Sequence, residues 1–141
     1  MKSLSVRLVV ILIGLTIFGC SEKREAKWNY FYQDEDGIYY YDVKNITHPS
    51  NHTVMVWFKL VFSKKFKNKE IFKQPAIEFP NANHIIILAE LNCSDKKIRF
   101  LSSHLYSKDN KNLISKDIPK QNFWFFSPEK PEGVLYKAVC R

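Results

Sequence analysis

The fold turns on His84-Ile85-Ile86-Ile87-Leu88-Ala89-Glu90-Leu91-Asn92-Cys93. This stretch is short, rich in β-branched residues, nearly uncharged and closed by a cysteine, and it reads as a buried strand. A polar turn, Ser94-Asp95-Lys96, follows, and Lys97–Ser107 returns as the other half of a hairpin. The alternation of that return strand slips around residues 101–103, where a bulge or an edge is expected. Upstream, Thr53–Phe62 places Val54, Val56, Phe58, Leu60 and Phe62 on one face and Met55, Trp57 and Val61 on the other, beside Lys59. A strand that is apolar on both faces belongs in the middle of a sheet.

Further out, residues 28–32 and 38–43 form a second hairpin across a turn at 33–37, with Gly37 placed to supply a positive φ. The Asp34-Glu35-Asp36-Gly37 run lacks the remaining ligands of a calcium loop, so it reads as a turn. Residues 44–51 form a polar loop. Pro49 argues against the helix that would bring His48 and His52 together, and no third ligand accompanies them, so no metal is expected. Residues 74–83 carry Pro75 and Pro80 and read as irregular chain. Residues 108–112 make a turn and 113–118 a weak strand, and the run Phe123-Trp124-Phe125-Phe126 is expected to pack, since exposed it would be adhesive. Residues 127–133 have helix-start chemistry: Ser127 as a hydroxyl cap, early prolines and acids in the first turn. The helical start is placed as late as Pro131. Val134, Leu135, Ala138 and Val139 then form one stripe, with Lys137 and Arg141 at the end the helix dipole favours. A helix this short does not persist alone. The chain is therefore α+β and mainly β, with one late helix.

The N-terminus decides the compartment. Lys2 and Arg7 precede residues 8–18, which hold nothing more polar than Thr16; that is a signal-peptide core, too short for a membrane span of ~20 residues. Ile17-Phe18-Gly19-Cys20 resembles the bacterial lipobox, in which the thiol receives a diacylglycerol and the leader is cut before it. A plain signal peptide or a retained anchor is the competing reading. Several acyl chains hold a protein at a membrane where one does not. Ser21 is not the aspartate of an inner-membrane retention signal, so by analogy the protein sorts to the outer membrane. The expected division is residues 1–19 as leader, 20–27 as lipidated tether and 28–141 as one domain. With Cys20 acylated, Cys93 and Cys140 remain as an even pair in an oxidising space, which favours a disulfide over two free thiols. Closing a loop of 47 residues contributes about 4 kcal/mol in the chain-entropy description.

The chain carries 22 basic and 14 acidic residues, for a net charge of +8. In an exported protein this balance points to anionic lipid, polysaccharide or acidic proteins, or simply to a solvated surface, and not to nucleic acid. Residues 63–73 interleave Lys64, Lys65, Lys67, Lys69 and Lys73 with Phe66 and Phe72. The first four lysines are the candidate contact for an acidic partner, and a solvated loop with inward aromatics is the competing reading. No nucleophile motif and no phosphate-cradling glycine loop is present, and His48, His52, His84 and His104 are scattered. We therefore expect no enzyme, no catalytic or metal residue and no cofactor.

The domain resembles the surface-adhesin protein E family of bacterial lipoproteins. The landmarks are Trp28, Asp36-Gly37, Tyr39-Tyr40-Tyr41-Asp42, Val54-Met55-Val56-Trp57, Glu90-Leu91-Asn92-Cys93, Arg99, Tyr106, Ser127-Pro128, Leu135 and Val139-Cys140. The resemblance implies an antiparallel sheet of about six strands, with the C-terminal helix held on its concave face by a Cys93–Cys140 bridge. It also implies a non-enzymatic outer-membrane lipoprotein that binds host extracellular-matrix or serum proteins and can form a homodimer. The alternative is a periplasmic accessory or inhibitor lipoprotein of the lysozyme-inhibitor kind, whose basic charge has the wrong sign for docking on a basic lysozyme.

Overall fold

The computed structural model describes residues 25–68, 78–119 and 122–141. The leader, Cys20, Lys69 and Lys73 lie outside these residues. The elements run β1 (Trp28–Gln33), β2 (Gly37–Asp42), β3 (Thr47–Ser50), β4 (Thr53–Phe62), α1 (Lys64–Lys67), β5 (Ala82–Asn92), β6 (Lys97–Ser107), β7 (Asn112–Asp117), β8 (Trp124–Phe125) and α2 (Pro131–Val139). Six strands form one antiparallel sheet in the order β1-β2-β4-β5-β6-β7, and the short β3 and β8 extend β4 and β6. The sheet curls into a half-barrel.

β4 sits at the centre, as its two apolar faces require. It pairs with β2 and β3 on one side and with β5 along nearly its whole length on the other. Alternation sends Val54, Val56, Phe58 and Leu60 to one face, where they form a core with Tyr39, Ala89, Leu91, Ile98, Leu135 and Val139. The expected irregularity in β6 falls at Leu101: Leu88 faces Ser102 and Ala89 faces Phe100, so Leu101 has no partner across the pair. Its carbonyl instead accepts the Ile118 N–H at 2.9 Å. At the first hairpin, Gly37 has a φ of 154°, and a Cβ there would stand 1.9 Å from the Val61 carbonyl oxygen, so only glycine fits. Asp34 closes this turn by accepting the N–H groups of Asp36 at 2.8 Å and Gly37 at 3.3 Å, which are the bonds of an Asx turn rather than of a cation site.

Several local expectations are corrected. The polar loop at 44–51 contains β3, whose residues are all exposed, so Pro49 sits where a strand can spare an N–H. Residues 64–67 of the basic stretch form a helical turn, capped by the Ser63 hydroxyl accepting the Phe66 N–H at 2.9 Å. β5 starts at Ala82, earlier than its apolar run suggests. The run 123–126 packs on alternate sides: Trp124 and Phe126 meet the core, while Phe125 is 72% exposed. The N-cap of α2 is Lys130, without a side-chain cap bond, and Ser127 contributes its backbone carbonyl to the Lys130 N–H.

Cys93 and Cys140 are bonded, with their Cα atoms 5.5 Å apart. The bond ties the end of β5 to the C-cap of α2. A second clip lies beside it, where the Tyr136 hydroxyl donates to the Cys93 carbonyl at 3.0 Å. Leu135 and Val139 face the sheet from α2, two positions of the stripe read from sequence.

Candidate functional site

α2 covers only part of its sheet face. Beyond Glu132, in its first turn, the same face opens into a groove of about 960 Å³. The floor comes from Leu60 and Phe62 of β4, Ile85 and Ile87 of β5 and Leu105 of β6; Ile114 of β7 and Phe66 of α1 form opposite walls. The volume falls in the range of ligand-holding clefts, and the lining is mainly apolar with a few polar groups at the rim: Glu78, Glu132, Ser103 and Lys116. The groove ends at β7, which is an edge strand of the sheet. An open sheet edge beside an apolar groove suits an extended polypeptide, which adds main-chain hydrogen bonds to the edge and side chains to the groove.

Three of the lysines singled out from sequence share α1 with Phe66, which lines this groove. Phe66 turns in toward Phe62, with ring centroids 5.1 Å apart, while Lys64, Lys65 and Lys67 occupy the other positions of α1. Lys65 is paired with Glu35 of the first hairpin turn. Lys69 lies outside the described residues. His52 and His104 each meet a serine hydroxyl, Ser94 at 2.9 Å and Ser115 at 2.7 Å. Among the described residues, no three His, Cys, Asp or Glu side chains come together as a metal site would need.

The opposite face of the sheet is aromatic, and among the described residues no other helix or strand covers it. Trp28, Tyr30, Tyr40, Trp57, His84, His104 and Tyr106 all point there. Its ring contacts include His84 stacked on Tyr106 with centroids 5.2 Å apart and Trp57 against His104 at 5.5 Å. Lys59 stands among them, its Nζ 4.6 Å from the Trp28 centroid and 5.1 Å from that of Tyr40. Burial pulls the Lys59 ammonium below the usual lysine range, and burial together with the nearby Lys59 charge does the same to His84. At one end of this face Glu90 accepts from Arg99 Nε at 2.8 Å and Nη2 at 2.6 Å, a largely buried pair. Asp42 is 2% exposed and fully engaged: Oδ1 accepts the Lys27 and Lys44 N–H groups at 3.0 Å each, and Oδ2 accepts Asn45 Nδ2 at 2.5 Å. Sequence reading assigned no role to this face. The alternation in β4 put Lys59 among apolar residues, which was the one available signal.

A family model described as surface-adhesin protein E matches residues 28–141. In fold the chain is similar to Haemophilus influenzae protein E, with a TM-score of 0.53 at 13% identity over 82% of this chain and 85% of that one. Its crystal form II gives a TM-score of 0.53 at 14% identity over 82% of this chain and 90% of that one. At such identity the likeness is one of fold. No curated protein sequence matches the chain.

Proposed function

The chain belongs to the surface-adhesin protein E family, and from that membership we propose that it is a lipid-anchored adhesin holding a host protein in the groove beside α2. The occupant is an extended segment of a matrix or serum protein, apolar where it meets the groove and acidic where it passes α1. The observation that carries this reading is the apolar groove of about 960 Å³ bounded by the β7 edge. Lys64, Lys65, Lys67 and Lys69 attract the acidic flank, and the groove supplies the burial that keeps the segment bound. The diacylglycerol at Cys20 anchors the protein to the outer membrane, and the polar tether of residues 20–27 sets the domain off from it.

Binding of the purified domain to immobilised matrix and serum proteins tests the site. Ile114→Asp places a charge on the groove wall at the sheet edge and should abolish binding while the domain stays folded. Charge reversal at the four lysines should weaken binding most at low salt. Binding that survives Ile114→Asp would move the site elsewhere. Protease shaving of intact cells tests display: an adhesin is cleaved, whereas a periplasmic accessory protein is protected.

A further inference from the structure

We propose that the sheet face opposite α2 is a second binding site, for a saccharide carrying a carboxylate or sulfate. It is independent of the groove, which lies on the other side of the sheet. Its centre is a row that crosses the sheet by strict register: Tyr30 on β1, Tyr40 on β2, Lys59 on β4, Ile86 on β5 and His104 on β6. Next to that row is a depression of about 590 Å³, walled by Trp28, Trp57, His104 and Tyr106 and floored by Ile86 and Leu88. Lys59 stands at its rim, since it pairs with Ile86 and its Nζ lies over Trp28.

Charge complementarity selects the occupant. Asp42 lines the depression itself, but its carboxylate is 2% exposed and taken up by backbone and amide donors, and Glu90 on the same face is taken up by Arg99. The acid at the far side is Asp117, exposed on the edge strand β7, whose register partner in β6 is Ser102. Lys59, half-buried in the middle, meets only aromatic rings among the described residues. A partly desolvated ammonium with no counter-charge among the described residues is a costly arrangement that an incoming anion would relieve. Around it, flat aromatic faces match the C–H faces of pyranose rings, and the Thr47 hydroxyl and the His104 ring nitrogen not facing Ser115 lie on the pocket wall, within reach of sugar hydroxyls. A polynucleotide fits less well, because its phosphates call for a track of cations and Lys59 is a single charge among the aromatic rings.

Titration of the purified domain with tetrasaccharides of hyaluronan and of chondroitin sulfate, against maltotetraose as a neutral control, tests this. Two-dimensional NMR should show binding of the acidic sugars, with shifts at the Trp28 and Trp57 indole N–H signals. Lys59→Met keeps the apolar stem and should weaken that binding about tenfold or more, the worth of one charge-assisted hydrogen bond. Its thermal midpoint should be unchanged or raised, which separates lost binding from lost folding. Trp57→Ala should weaken binding of the same sugars, and Ile114→Asp should leave it intact. Equal affinity for the neutral sugar, shifts confined to the α2 side, or binding unaffected by Lys59→Met would each overturn the proposal. Tighter Lys59-dependent binding of an acidic peptide or a single-stranded oligonucleotide would overturn the assignment to saccharide.

Discussion

Replacing both Cys93 and Cys140 by serine removes the cross-link while leaving every other contact of α2 in place. The bond closes a loop of 47 residues, and losing it returns about 4 kcal/mol of conformational freedom to the unfolded chain. For a domain whose whole stability is roughly 5–15 kcal/mol, this is a large fraction. A domain of this size shifts by roughly 4 °C per kcal/mol, so the melting midpoint should fall by about 16 °C. Guanidinium denaturation of the oxidised protein and the double serine variant measures the change directly. Hydrogen exchange locates it: the amides at positions 134 and 140, bonded to the Lys130 and Tyr136 carbonyls, should lose protection in the variant before those of β4 and β5. The Tyr136 bond to Cys93 and the burial of Leu135 and Val139 remain in the variant and set how much docked helix survives. A loss below about 1 kcal/mol, with α2 amides still as protected as those of β4, would refute the claim that the cross-link holds the helix to the sheet.

Gly133→Ala pits two effects against each other. Alanine gains about 1 kcal/mol in helix propensity, but its Cβ would stand 2.4 Å from the Ser127 carbonyl oxygen and 2.6 Å from Pro128 backbone atoms. Overpacking against main chain wins, and a net destabilisation of about 1–2 kcal/mol is expected by chemical denaturation; a stabilised variant would show that the segment before α2 yields freely. Asp42→Ala removes the acceptor for two backbone N–H groups and one amide at a buried position and should cost about 2–3 kcal/mol, with Asp42→Asn intermediate. His84 is held below the usual imidazole range, so the unfolded chain binds its proton more tightly than the folded one. Its contribution to stability is therefore fully present above the ordinary pKa of about 6.5 and is lost as pH falls through the lower folded value. Denaturation midpoints should fall on acidification below about pH 6.5, and His84→Gln should flatten that fall; an identical slope in the variant would assign it to other groups.

The long strands were readable from their apolar patterns and the turns between them, though their order across the sheet was not. Thr53–Phe62 is apolar on both sides, and that suffices to place it centrally. The slip of pattern near Leu101 marked a bulge because period-two alternation cannot absorb an extra residue otherwise. The late stripe of Leu135 and Val139 marks a helix, and the cysteine beside it marks the tie to the sheet. Short elements escaped. β3 and β8 have too few residues for a period and exist because a neighbouring long strand offers them partners. The turn at Lys64–Lys67 is set by the Ser63 cap and by Phe66 stacking on Phe62, contacts that composition alone does not reveal.

The strand pattern follows from the sequence alone, because it is encoded in neighbours a few residues apart, and the composition leaves Cys93 and Cys140 as the two cysteines of the domain. The groove beside α2 and the aromatic face around Lys59 were decided by the tertiary structure. Both depend on which side of one curved sheet the helix occupies and on strand registers that bring Tyr40, Lys59, Ile86 and His104 into one row. Those residues are distant along the chain, and only the pairing of four strands makes them a single surface.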